Sequence, residues 1–217
     1  MKALVTGANG SIGQALARQP PGLGMSALVH ELRGLDLTGP ADDPTSFTLG
    51  WITGDCLDPD VVDRAVEGVD AVVHLAGNPD EDSLPACLES HVHTTARLLE
   101  AMVRHGVPTI AYASSNHAVG LTPRGPGQLT TDVRPRPDMF YGVAKVAAES
   151  LLSLYADRHD VAAVAMRIGS FRQAPRSVRQ LSTWLSPDDA VRMVAAAVRW
   201  DRPGLQVIHG VSANTRG

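Results

Sequence analysis

The chain has 217 residues, 44% hydrophobic and 19% charged, enough to fill one soluble α/β domain and short for two. A net charge of −4 excludes a broadly basic nucleic-acid-binding surface, and no stretch approaches the ~20 apolar residues that span a bilayer. Cys56 and Cys87 are too few for a disulfide framework or a zinc site, and the N-terminus enters an apolar strand instead of a secretion signal; the expectation is a cytoplasmic protein that holds no metal.

Residues 3–6 read as a short buried strand. Gly7, Gly10 and Gly13 follow at G-x-x-G-x-x-G spacing, and a helix starts near Gln14. Strand, glycine-rich turn and helix make a phosphate-binding junction: glycines let the backbone approach a pyrophosphate, and the helix N-terminus offers free N–H groups. Gly7, Gly10, Ser11, Ile12 and Gly13 are the contacts expected there. Pro20 and Pro21 end the helix, and a second strand is expected near 26–37. Asp36 closes it about 20 residues beyond the glycines, where a carboxylate accepts both ribose hydroxyls of NAD and repels the 2′-phosphate of NADP.

A polar loop with Pro40 and Pro44 leads to a third strand ending near Asp55 and Cys56, both expected at the cofactor. Asp55 is placed either to meet the adenine amino group or to cap a helix at 59–66. Residues 71–77 form a fourth strand whose end, Leu75, Ala76 and Gly77, is small enough for a cofactor to pass. One long helix is expected over 84–105, with Leu88, Val92, Leu98, Leu99, Met102 and Val103 on its apolar face. His91 and His93, two apart on it, face different ways, which argues against a paired metal site. A fifth strand spans 107–114, a helix 140–159, a sixth strand 161–168 and a last strand 205–209. The loop 121–138 is long for a compact domain and is expected to cover a site. Strands alternating with helices predict a doubly wound parallel sheet of Rossmann type, helices on both faces, with ligands at the carboxyl ends of the strands.

The chemistry centres on Tyr141-Gly-Val-Ala-Lys145 and the preceding Ser114 and Ser115. Four residues apart on one helix, Tyr141 and Lys145 share a face. A free tyrosine titrates near pH ~10. The expectation is that the Lys145 ammonium lowers the Tyr141 phenol and that a serine hydroxyl holds the substrate oxygen whose proton the phenolate removes.

With these motifs in place, the chain resembles the extended short-chain dehydrogenases/reductases of the NAD-dependent epimerase/dehydratase type. The resemblance rests on Thr6-Gly-Ala-Asn-Gly-Ser-Ile-Gly13, Leu75-Ala-Gly77, Ser114-Ser115 and Tyr141-Gly-Val-Ala-Lys145. Ser114-Ser-Asn-His117, Arg167-Ile-Gly-Ser170 and the run from Arg179 to Asp189 are similar to the uronate dehydrogenases within that family. The resemblance implies a single NAD-binding domain over 1–217, its substrate-binding portion formed by loops 78–90, 121–138 and 170–189. It implies oxidation of a free hexuronate, glucuronate or galacturonate, at C1 to an aldarolactone. Tyr141 is then the base, Ser115 holds the reacting oxygen, and Lys145 binds the nicotinamide ribose, with Tyr141 and Ile168 also at the cofactor. Asn116, His117 and Ser170 contact sugar hydroxyls, and Arg179, with Arg172 and Arg176 as nearby competitors, receives the carboxylate. Relatives carry an asparagine where this chain has His91 and continue through further helical segments beyond Gly217; a C-terminal part either shortened or missing is the expectation. In this family helices near 88–103 and 147–155 commonly pair with those of a second subunit to make a homo-oligomer, although their alanines and leucines equally suit a domain core. Net charge and the lack of a long apolar run point to no nucleic acid or membrane partner. Within the same fold, a sugar-nucleotide epimerase or dehydratase, another carbonyl reductase, or a non-catalytic dinucleotide-sensing module are the competing readings.

Overall fold

The structure, a computed structural model, describes residues 1–18, 29, 31–41, 46–123, 125 and 127–214. Pro20, Pro21, Pro44 and the beginning of the expected second strand, 26–28, lie outside the described residues.

Seven strands form one parallel sheet: β1 Lys2–Thr6, β2 Glu31–Asp36, β3 Gly50–Thr53, β4 Ala71–His74, β5 Thr109–Ser115, β6 Ala162–Ile168 and, after two short strands, β9 Gly204–Gly210. Their order is β3-β2-β1-β4-β5-β6-β9, every neighbouring pair parallel. The order reverses between β1 and β4, and a doubly wound sheet opens a crevice at such a switch point. The short strands β7 Ser170–Phe171 and β8 Trp184–Leu185 pair with each other as a separate ribbon.

Alternation along the strands feeds two cores. Ala3 and Val5 of β1, Ala71 and Val73 of β4, and Val164 and Met166 of β6 point to one face. There they meet α1 Ser11–Ala17 and α7 Pro187–Ala197 through Leu16, Val191 and Val194. Leu4, Val72, Ile110 and Ala163 point to the other face. They meet α2 Pro59–Val66, α4 Thr94–His105 and α5 Phe140–His159 through Val62, Leu98, Leu99, Ala148 and Leu152. Among the described residues no helix is long and apolar enough to cross a membrane.

The helices at 59–66 and 140–159 have the expected bounds. Asp58, not Asp55, caps α2, accepting from the backbone N–H groups of Asp60 and Val61, which removes the capping alternative for Asp55. The expected single helix over 84–105 is broken into α3 Leu84–Leu88, a π turn Glu89–His93 and α4. The π turn adds one residue without interrupting the helix, which puts the faces on its two sides out of phase, whereas a single helical stripe over 84–105 assumes one phase throughout. Val103, expected on the apolar face, is exposed at 38%, and Leu88 and Val92 are only half-buried. His91 is buried and His93 exposed, as their two-residue spacing requires.

Candidate active site

A cavity of about 1020 Å³ runs across the carboxyl ends of the strands, and every residue singled out from the sequence as a site residue lines it. Its two ends differ in construction. At the β1–α1 end the walls are backbone. Gly7 has φ +66°, and a Cβ there would fall 2.8 Å from the Ala76 nitrogen, so the turn after β1 and the end of β4 touch main chain to main chain. A Cβ on Gly13 would lie 2.5 Å from the Ala8 carbonyl oxygen. This close, side-chain-free turn at a helix start suits a pyrophosphate. Asp36 at the end of β2 accepts the Asn9 backbone N–H on Oδ2 at 2.9 Å, which leaves its other oxygen for ribose hydroxyls. Asp55 accepts the Leu57 N–H and also lines the cavity. The buried Cys56 thiol is pushed up to about 12, by burial first and then by the charges of Asp55 and Asp36, which makes it a wall and not a nucleophile.

At the other end the walls are buried polar side chains. Tyr141 and Lys145 sit one turn apart on α5, facing Ser115 at the end of β5. Lys145 Nζ donates to the Ala113 carbonyl at 2.7 Å and lies 5.3 Å from the Tyr141 ring centroid. Burial pushes Lys145 down to about 7, opposed by the Glu149 carboxylate one turn further along α5. Burial also pushes the Tyr141 phenol up, opposed by its hydrogen bond with Ser115. The expectation that Lys145 lowers Tyr141 is therefore corrected here: desolvation governs both groups, and the ammonium is engaged with the Ala113 carbonyl. The two serines divide. Ser115 faces Tyr141 and accepts the His117 N–H, whereas Ser114 donates to Glu149 at 2.5 Å.

Several contacts at this end carry no local sequence signal. Glu149 forms a buried two-point ion pair with Arg167 of β6, at 3.0 and 2.8 Å, and Arg167 also donates to the Thr131 carbonyl of the loop 121–138. Glu81 accepts the backbone N–H groups of Phe140 and Tyr141 at 2.9 and 3.0 Å. It thereby caps α5, whose own N-cap residue, Met139, offers no side-chain bond. His91, on the π turn, stands edge-on to Tyr141 with ring centroids 5.0 Å apart, and its Nε2 meets the Asn78 carbonyl at 2.9 Å. A Cβ on Gly77 would lie 2.5 Å from that ring. Burial, then the Lys145 charge, push His91 down to about 3, so the ring is neutral, with Nε2–H donating to Asn78. The one readable hint is that Met139 offers no capping side chain to a helix of 20 residues, which leaves its first N–H groups to water or to a remote acceptor.

The residues expected at the substrate lie on other segments of the same lining. Asn116 and His117 sit on a 3₁₀ turn, Asn116–Val119, directly after β5. Ser170 of β7 shares a hydrogen bond with Thr183, at the end of α6 Gln180–Thr183. Arg179 and Arg172 both line the cavity, and neither pairs with a carboxylate among the described residues; Arg176 is not part of the lining.

Residues 3–186 match the NAD dependent epimerase/dehydratase family. The chain belongs to that family. The family brings the cofactor, NAD, which the glycine turn, Asp36 and the Gly77 passage fit, and the dehydrogenases among the relatives make the protein an oxidoreductase. Within the epimerase/dehydratase family the chain is similar to a uronate dehydrogenase of Pseudomonas putida, 34% identical over 211 residues, covering 97% of this chain and 76% of the relative. It is also similar to an NAD-dependent glucose-6-phosphate dehydrogenase of Haloferax volcanii, 34% identical, covering 98% of this chain and 86% of the relative. Among solved structures, a mutant uronate dehydrogenase from Agrobacterium tumefaciens complexed with NAD superposes with a TM-score of 0.89 at 34% identity, covering all of this chain and 78% of that one.

Proposed function

We propose that this protein oxidises a free hexuronate, glucuronate or galacturonate, at C1 to the aldarolactone, and that it does so in the cytoplasm. The observation that carries the reading is Arg179: a guanidinium with no carboxylate partner among the described residues opens onto the cavity that holds Tyr141 and Ser115. A guanidinium fork matches a carboxylate, and anchoring that group fixes which end of the sugar faces Tyr141. The uronate dehydrogenases among the relatives favour the same reading.

NAD, when bound, supplies the carbon that accepts the hydride. Gly7, Gly10, Ser11, Ile12 and Gly13 hold its pyrophosphate, Asp36 its adenosine ribose, Asp55 and Cys56 the adenine side, and Leu75, Ala76, Gly77, Lys145 and Ile168 its nicotinamide half. Ser115 holds the C1 oxygen and Asn116, His117 and Ser170 the other hydroxyls. Tyr141 takes the C1 hydroxyl proton as the C1 hydrogen leaves with its electron pair, and C1 becomes the lactone carbonyl. Because burial raises the phenol, the Ser115 hydrogen bond is what favours its ionised form before substrate arrives.

The test is NADH formation from NAD with glucuronate and galacturonate, beside glucose and galactose, and with NADP as a control. Turnover confined to the uronates with NAD is the expected result; equal turnover of neutral hexoses would overturn it. Arg179→Ala should raise KM for a uronate about 10- to 100-fold, the worth of a charged hydrogen-bonded pair, and far more than for any neutral hexose that turns over.

Arg172 favours a second reading. With Arg179 it gives the cavity two guanidinium groups, and a phosphate monoester, carrying close to two charges, takes two forks where a carboxylate needs one. A hexose 6-phosphate in the same panel separates the two.

A further inference from the structure

His117 makes a contact that proton removal by Tyr141 does not require. Its Nδ1 lies 2.9 Å from Oδ1 of Asp138, at the end of the loop 121–138 and two residues before α5 begins. The pair is half-buried, with His117 at 25% and Asp138 at 21% exposed. An ionised carboxylate only accepts, so the proton of this bond sits on Nδ1; in the neutral ring, Nε2 then keeps the lone pair.

Two glycines make room for this arrangement. A Cβ on Gly120 would collide with the Asp138 carboxyl group, and one on Gly142, in the first turn of α5, would collide with the His117 carbonyl oxygen. The His117 backbone is held from the other side by its N–H bond to Ser115 Oγ at 3.2 Å. Thus the imidazole is fixed by Asp138 at one edge and by the Ser115 turn at its root, and its ring stands edge-on to Tyr141 with centroids 5.9 Å apart. His117 lines the cavity, and its Nε2 has no hydrogen-bond partner among the described residues.

We propose that Asp138 is a positioning residue: it locks His117 as the Nδ1–H tautomer and presents Nε2 as an acceptor for a sugar hydroxyl next to the reacting centre. The consequence is specificity for a substrate with a hydroxyl to donate at that position, because a deoxy or O-methyl sugar leaves a desolvated acceptor without a partner. Asp138 itself touches no substrate and acts through the ring. The substrate side of this inference rests on the reading that the ligand is a sugar acid; the tautomer does not.

The experiment has two arms. In the first, the ring nitrogens of the full chain are observed by ¹⁵N NMR at about pH 8, where a free imidazole is neutral, with His117→Ala to assign the signal. A protonated Nδ1 and an unprotonated Nε2 at His117 are expected, and the reverse pattern would sink the proposal. In the second, glucuronate and galacturonate kinetics are measured for the wild type, Asp138→Ala, His117→Ala and the double variant. Asp138→Ala should raise KM about 10-fold, a neutral hydrogen bond's worth, with kcat within about 3-fold, and should add nothing in the His117→Ala background. An equal KM effect in both backgrounds would show that Asp138 does not act through His117. Asp138→Asn, of the same shape, serves if the alanine variant does not fold: a KM still raised in the His117→Ala background would again count against it. Wild-type chain that turns over no uronate would overturn the substrate reading and the hydroxyl contact with it, while the NMR arm would still decide the tautomer.

Discussion

The two ends of the cavity are built from different materials. The nucleotide end is backbone shape: Gly7 against Ala76, Gly13 against Ala8, and Asp36 held by the Asn9 amide. The Tyr141 end is buried side chains whose protonation is displaced by lost water: Tyr141 upwards, Lys145 to about 7 and His91 to about 3. At the first end a substitution acts sterically and is felt in folding and cofactor affinity. At the second it changes which group holds a proton, and is felt in rate and pH dependence.

The largest effect should come from Tyr141→Phe, which removes one oxygen from the side-chain end. A loss of about 10²–10⁴-fold in kcat is expected, with NAD affinity by calorimetry unchanged; retained turnover would deny Tyr141 the role of base. Next is acid stability. His74, enclosed between Thr6 and Thr95, and His91 are each pushed down from 6.5 to about 3, by burial first. The unfolded chain takes up these protons near pH 6.5 and the folded chain only near 3. The stability they contribute is therefore complete above pH 6.5 and drains away as pH falls toward 3. Urea midpoints across that range should drop well before carboxylates titrate, and His91→Asn should remove about half of the slope; a flat profile from pH 6.5 to 4.5 would mean neither ring is held neutral by the fold.

Gly13→Ala probes the backbone end. Its Cβ would sit 2.5 Å from the Ala8 carbonyl oxygen, main chain that cannot rotate aside, so a loss of about 1–3 kcal/mol in urea unfolding is expected, together with weaker NAD binding. Gly39→Ala, whose Cβ meets nothing within 4 Å, is the control that should leave both unchanged. Smallest is Glu81→Ala, which uncaps α5 at about 1 kcal/mol, or roughly 2–4 °C in Tm. A shift larger than that of Gly13→Ala would reverse that order.

The same division decides what the sequence makes legible. Backbone features are local: the glycine spacing, Pro59 at the start of α2 and the apolar runs of β1 and β4 place the sheet and the nucleotide end directly. Tyr141, Lys145 and Ser115 are legible because a short motif carries them. What escapes is made by contacts between distant segments, such as Glu81 on the Tyr141 amide, Arg167 on Glu149, and Lys145 on the Ala113 carbonyl. The direction of the Tyr141 shift escapes for the same reason, since four-residue spacing gives the nearness of an ammonium but not the burial that outweighs it. The π turn escapes because Leu98, Leu99 and Met102 keep their helical spacing on its far side.

That π turn amounts to an α-helix with a surplus residue. Each residue of an α-helix advances about 100°. Excising one position from Glu89–His93 would let residues 84–105 wind as one regular helix, and because α4 is pinned to the sheet by Leu98 and Leu99, the rotation would fall on the preceding side. Cys87 would swing out of its buried place, and Ala86 and Glu89 would turn away from the cavity they now line. A one-codon deletion there should give a more regular helix and a worse site, so the irregularity is what lets one continuous helix serve the core with one half and the cavity with the other.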